Sequence, residues 1–223
     1  MQNPWGALPR HQPYVLPEDQ RAIEVFNREA RHSSRIDTSL LPEPWVGDVA
    51  APLILLAQNP GTSEDDHAQL ASAGFRDRVL ACHAQATCNY PFYYLHPAAE
   101  GPGFRWWSVT LKALLSSCGR ERVARGVVAF EYFPYHSVGF DHGHVRLACH
   151  EYTFWLLREA MKRDATVIIT RGRRLWVGAV PELADYQKCY TTNSVQRASI
   201  SPKNCPNGFE IACKALTAYE LVG

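Results

Sequence analysis

The chain has 223 residues, 46% of them hydrophobic and 20% charged, with a formal net charge of +1. That length and apolar content suit one substantial core with an irregular N-terminal extension, and the near-neutral charge leaves any polyanionic partner to local basic patches. Seven scattered cysteines without a CxxC pair argue against a zinc ribbon or a disulfide framework, and the absence of an export-like N-terminus or a long apolar run predicts a cytoplasmic protein with no membrane span.

Residues 1–16, rich in proline and polar groups, are expected to wrap the surface or stay mobile. A helix is predicted from Pro17 to about Arg31, where Ala22, Ile23, Phe26 and Ala30 recur at helical spacing and acidic residues precede basic ones. Leu53–Ala57 reads as the first strand, and residues 68–84 as a helix weakened at Gly74. Residues 88–97 form an aromatic loop, and Trp106, Trp107, Val109, Leu111, Leu114 and Leu115 suggest a buried helix over 104–117. A second strand over 127–133 carries Glu131-Tyr132-Phe133-Pro134. A helix over 145–161 then precedes a third strand at 166–170 that leads into Arg171-Gly172-Arg173-Arg174. A late loop, 192–197, is followed by Ser201-Pro202-Lys203-Asn204 and a closing helix near 210–221.

Strands alternating with helices predict an α/β fold: a three-layer α/β/α sandwich around a short, mostly parallel sheet. Residues 1–40 are assigned to an extension with one helix, and 41–223 to a single α/β domain. The chain is expected to be a monomer.

The apolar run of the first strand stops abruptly at Gln58-Asn59-Pro60-Gly61. A strand that ends this way sets polar atoms at its carboxyl end, where open α/β sheets bind ligands. Pro60 fixes its own φ and keeps Asn59 out of the helical region, while Gly61 permits a turn that other residues resist. A rival reading takes Asp141-His142-Gly143-His144 with His150 as a metal-binding cluster of a hydrolase, although the spacing matches no specific site. No metal or other cofactor is expected.

Gln58-Asn59-Pro60-Gly61 after an apolar strand resembles the first motif of the uracil-DNA glycosylase superfamily, in the Asn-Pro-Gly form of its mismatch-specific and single-strand-selective branches. The resemblance covers about residues 50–215. Glu131-Tyr132-Phe133-Pro134 stands where such enzymes carry an Asn-x-x-Pro segment whose Asn reads the flipped base. Asn193-Ser194-Val195-Gln196-Arg197 falls where the family keeps its second motif, the loop that enters the minor groove, but departs from the His-Pro-Ser form. The resemblance implies a DNA glycosylase that flips a base and hydrolyses its N-glycosidic bond. A non-catalytic nucleic-acid-binding module of the same fold is the alternative.

Under that reading Asn59 orients the attacking water, and Asp65 or Asp66 either supplies the carboxylate that Asn59 lacks or simply favours a helix N-terminus. Gln58 and the backbone after Pro60, with Gly61, contact the base. Phe92 and Tyr93 are the preferred stacking platform among Phe92-Tyr93-Tyr94, and His136 donates to the base or a phosphate. Arg171, Arg173, Arg174, Asn193, Ser194, Gln196, Arg197 and Lys203 would hold DNA, with Val195 or Gln196 filling the gap left by the base. Glu131 shifts the expected substrate. An ionised carboxylate can only accept and would repel O4 of uracil, whereas a protonated one accepts from cytosine N4–H and donates to N3. A modified cytosine, such as hydroxymethylcytosine or its glucosylated form in phage defence, is therefore the expected target, with uracil in repair as the alternative.

Overall fold

A computed structural model describes residues 1–194, 196 and 198–219. Five strands, β1 (Trp45–Gly47), β2 (Leu53–Ala57), β3 (Val127–Glu131), β4 (Thr166–Ile169) and β5 (Cys189–Thr191), form one sheet in the order β1-β3-β2-β4-β5. The last four run parallel. β1 lies antiparallel on the edge, with Trp45 opposite Phe130. At Gly47 the backbone takes φ +118°, and a Cβ there would stand 2.3 Å from the Val127 carbonyl, so only glycine lets this short strand close against β3.

The helices are α1 (Pro17–Glu29), α2 (Glu64–Ala71), α3 (Ala73–His83), α4 (Gly101–Thr110), α5 (Lys112–Cys118), α6 (Arg120–Gly126), α7 (His150–Lys162), α8 (Arg173–Ala179) and α9 (Pro206–Ala218). Every residue of β2, β3 and β4 is buried although successive side chains point to opposite faces. Both faces are therefore covered, and the fold is the expected three-layer α/β/α sandwich. α5, α6 and α9 pack together, with α9 against β2, β4 and β5. α7 sets Tyr152 on Trp45 and Phe154 on Trp176 of α8.

The first 16 residues are anchored by side chains. Trp5, Tyr14, Val15 and Leu16 are buried in the same core as the sheet, and Trp5 meets Trp45 edge-on at 6.4 Å. In α1, the buried Asp19 accepts from the Tyr135 hydroxyl at 2.9 Å and the Cys149 N–H at 3.3 Å. Those bonds tie the extension to the chain beyond β3.

Element boundaries differ where caps override periodicity. A capping box between Ser63 and Asp66 starts α2 at Glu64, and a break at Ser72 divides what reads as one helix over 68–84. The helix over 104–117 likewise splits, at Leu111. Arg173 and Arg174, expected in a loop, open α8. α7 begins at His150, five residues later than predicted from 145, and β3 ends at Glu131 rather than Phe133. The closing helix is displaced too: α9 starts at Pro206, and residues 220–221 lie outside the described residues. Among the described residues no helix is long and apolar enough to cross a membrane.

Candidate active site

β2 has β3 on one side and β4 on the other, so the chain leaves its carboxyl end in one direction and later returns past it in the other. Open α/β sheets bind ligands at such a switch point. A cleft of about 480 Å³ lies there, within the roughly 300–1,000 Å³ of small-molecule sites. Gln58, Asn59, Pro60 and Gly61 line it after β2, Glu131 stands at the end of β3, and Arg171 follows β4. Glu43, Tyr94, Trp106, Trp107 and Phe140 complete its walls. A second cavity, about 380 Å³, lies beside Gly47 near the start of β3, and Tyr93 is the only predicted site residue on it.

The turn after β2 is stitched to the segment after β3. The Phe133 N–H donates to the Gln58 carbonyl at 2.9 Å and the Ser137 N–H to the Pro60 carbonyl at 3.3 Å. Asn59 Nδ2 donates to the Pro60 carbonyl at 3.0 Å and to Ser137 Oγ at 2.9 Å. Because a carbonyl can only accept, the amide must present its nitrogen there. Oδ1 is left with no hydrogen bond among the described residues, as an acceptor on a rigid mount. The backbone N–H groups of Gly61 and Thr62 likewise have no acceptor among the described residues.

Glu131 ends β3 opposite Ala57 and is only 6% exposed. Its N–H donates to the Pro44 carbonyl at 3.1 Å, but its Oε2 is buried without a partner, and no ion pair reaches it among the described residues. Burial pushes its carboxyl up to about 8, with the Glu43 carboxylate adding to the effect and Arg171 opposing it. At neutral pH Glu131 is therefore the acid form, able to donate one hydrogen bond and accept another.

The aromatic residues chosen from sequence are corrected. Phe92 is fully buried, edge-on to Trp107 at 4.9 Å, and Tyr93 packs edge-on to Phe75 at 5.8 Å. Neither lines the cleft. Its aromatic walls are Tyr94, Trp106, Trp107 and Phe140, with the Arg171 guanidinium over the Trp106 ring at 5.7 Å. α4 comes this close to Tyr94 because residue 103 is glycine: a Cβ there would lie 2.2 Å from the Tyr94 ring. Val138, 69% exposed, stands at the mouth of the cleft.

His136 is corrected as well. It lines the cleft, but its Nδ1 lies 2.7 Å from the Gly61 carbonyl and its Nε2 3.0 Å from the Leu41 carbonyl, so both nitrogens are turned to backbone carbonyls. Neither acidic residue after the turn completes Asn59. Asp66 accepts from the Ser63 N–H and hydroxyl at 2.7 and 2.8 Å, and Asp65 pairs with Arg105 at 2.9 Å. Both serve the helix N-terminus, the second of the two sequence readings.

Of the described residues assigned to DNA, only Arg171 lines the cleft. Arg173 and Arg174 are exposed on the first turn of α8. Asn193, Ser194, Gln196 and Lys203 belong to the segment after β5, which leaves the same edge of the sheet as the cleft loops. That segment folds on itself: Asn193 N–H donates to the Asn204 carbonyl at 2.7 Å, and Ser194 N–H to Asn204 Oδ1 at 2.9 Å. Lys203 and Gln196 are exposed there. Val195 and Arg197 lie outside the described residues.

In the proposed metal cluster, His142 is fully buried against Phe133 and Phe140, at 4.2 and 4.4 Å, and His150 tilts on Tyr132. Burial pushes His142 down to about 4 and His150 down to about 3. Among the described residues no three His, Cys, Asp or Glu side chains converge to hold a metal ion.

Sequence reasoning missed Glu43, Trp106 and Ser137 as parts of the site. Glu43 precedes a three-residue strand with no strong pattern, and Trp106 reads as core. No family model, curated protein or solved structure matches this chain.

Proposed function

We propose that this protein is a DNA glycosylase that takes an extruded base into the cleft and hydrolyses its N-glycosidic bond, with a modified cytosine as the preferred base. The observation that carries the reading is the pairing, in one cleft, of a fixed, unoccupied Asn59 oxygen with the neutral carboxyl of Glu131.

In the reaction, Asn59 Oδ1 accepts a hydrogen bond from water and aims its oxygen at C1′ of the sugar. The water oxygen bonds to C1′ as the C1′–N1 bond breaks, and the bonding pair leaves with the base. Cytosine departs poorly as an anion. Protonated Glu131 offers its O–H to N3 while its other oxygen accepts from N4–H, so the proton moves to N3 and the base leaves neutral. Gly61 and Thr62 N–H groups are available to the pyrimidine O2, and Trp106 or Tyr94 offers a face for stacking. The cleft volume leaves room for a substituent on the ring. Restricting cleavage to a modified base would spare the host's own cytosines, which fits a role against phage DNA.

The test is base release from single- and double-stranded oligonucleotides carrying uracil, cytosine, hydroxymethylcytosine or glucosylated hydroxymethylcytosine, read as alkali-labile abasic sites. Release from the modified cytosines is expected, and Asn59→Ala should lower it by about 10²-fold or more while leaving DNA binding intact. Release of uracil alone would move the specificity to uracil. No release from any probe, or undiminished release by Asn59→Ala, would overturn the reading.

A further inference from the structure

Asn59 can orient a water but is a poor acceptor for its proton; Asp65 is paired with Arg105 outside the cleft, and Asp66, although it lines the cleft, has its Oδ2 taken by the Ser63 N–H and hydroxyl. The cleft nevertheless contains a second buried carboxyl. Glu43 comes from the segment before β1, and its N–H donates to the Pro134 carbonyl at 2.7 Å, which holds it alongside the chain that carries His136 and Ser137. Its Oε1 accepts the Tyr94 hydroxyl and lies 4.0 Å from His136 Nε2. Ser137, the next residue, holds the Asn59 amide. One short strip of chain, 134–137, thus supports both the water-orienting amide and this carboxylate.

We propose that Glu43 is the base that takes the proton of the attacking water, a catalytic residue of the reaction inferred above, on which this assignment rests. Burial raises both carboxyl groups of the cleft, but their neighbours differ. Glu43 has a hydroxyl donor on one oxygen and an imidazole nearby, which favour its ionised form. Among the described residues Glu131 has an orphan oxygen and no hydrogen-bond donor. Environments that separate two neighbouring acids in this way divide the roles of base and acid between them. As the water oxygen bonds to C1′, its proton passes to Glu43 while the Glu131 proton passes to the departing base. Solvent then returns one proton to Glu131 and removes one from Glu43, so the net reaction consumes one water. The groups facing Glu43 are His136 and Tyr94, which favour its charge, Tyr93, which adds to them, and Asp66, which opposes them; burial raises its carboxyl above the ordinary range. Glu131 faces Glu43 and Arg171.

The experiment is single-turnover base release across about pH 5 to pH 9, with the oligonucleotide the unsubstituted protein processes best, for that protein, Glu43→Gln and Glu43→Asp. The glutamine keeps an oxygen for the Tyr94 hydroxyl. Glu43→Gln should lower the rate about 10²- to 10⁴-fold, with DNA affinity unchanged. It should flatten the acid limb of the profile and move the alkaline limb to lower pH, because Glu131 loses its charged neighbour. Glu43→Asp should keep an acid limb at a reduced rate. An undiminished rate in Glu43→Gln, or a reduced rate with both limbs in place, overturns the assignment while leaving the glycosylase reading standing. If Glu43→Gln does not fold, an unchanged rate and profile in Glu43→Asp overturns it. An unsubstituted protein inactive on every probe overturns both.

Discussion

Replacing Glu131 by glutamine should shift the protein's stability in favour of the variant progressively as pH rises. The unfolded carboxyl titrates near 4.5, whereas in the fold burial and Glu43 hold it near about 8. Between those values the folded chain keeps a proton that the unfolded chain has released, so stability falls as pH rises, by about 1.4 kcal/mol per pH unit. At pH 7 the cost relative to acid conditions is about 3 kcal/mol, and above about pH 8 it levels off near 5 kcal/mol. Glutamine does not titrate and escapes this loss, although its buried amide donors add a constant offset of about 1–3 kcal/mol. Urea unfolding of both proteins from about pH 5 to pH 9 should give a stability difference that climbs in favour of Glu131→Gln up to about pH 8 and is then flat. A difference independent of pH would mean that Glu131 ionises normally in the fold, and its role as an acid would go with it.

Two further substitutions separate cleft from core. Trp106→Ala should weaken oligonucleotide binding by about 1–3 kcal/mol, measured by fluorescence anisotropy, and cost less stability than Phe92→Ala because the ring is only partly buried. Phe92→Ala should cost about 3–5 kcal/mol of stability and leave affinity intact where the protein is folded, because the ring is fully buried against Trp107. The reverse pattern would restore Phe92 as the platform. Ser137→Ala removes the hydroxyl that holds the Asn59 amide, so kcat should fall while KM stays constant and stability drops by about 1 kcal/mol. An unchanged kcat would show that Asn59 needs no such mount.

The sequence made legible those parts of the site whose local chemistry carries them. The Leu53–Ala57 run is buried at every position, and its abrupt polar end marks the switch point, because a parallel central strand must be apolar on both faces and can only turn polar where it leaves the sheet. Glu131 is legible only through the resemblance, from its place at the head of Glu131-Tyr132-Phe133-Pro134. Tertiary neighbours were not. Phe92 and Tyr93 follow Pro91 as Tyr94 does, and nothing local says that the third ring of the row faces the cleft; Gly103 of α4 decides that by admitting Tyr94. His136 reads as a free donor because the backbone carbonyls beside its ring nitrogens, those of Leu41 and Gly61, lie 95 and 75 residues away. β1 and β5 escaped detection because three residues do not establish a period.

A glutamate ends β3. The backbone there needs no carboxyl: the Glu131 N–H is satisfied by Pro44, and its partner across the sheet is an alanine. A buried oxygen without a partner costs the fold free energy that an apolar residue of similar size would not. The neighbouring Glu43 increases that cost, and Arg171 on the far side of the cleft only partly relieves it. Packing therefore supplies no reason for the residue, whereas the proposed chemistry, a proton held in the same cleft as a fixed amide oxygen, would supply one. A local rule broken with no structural return is the mark expected where a side chain serves chemistry rather than stability.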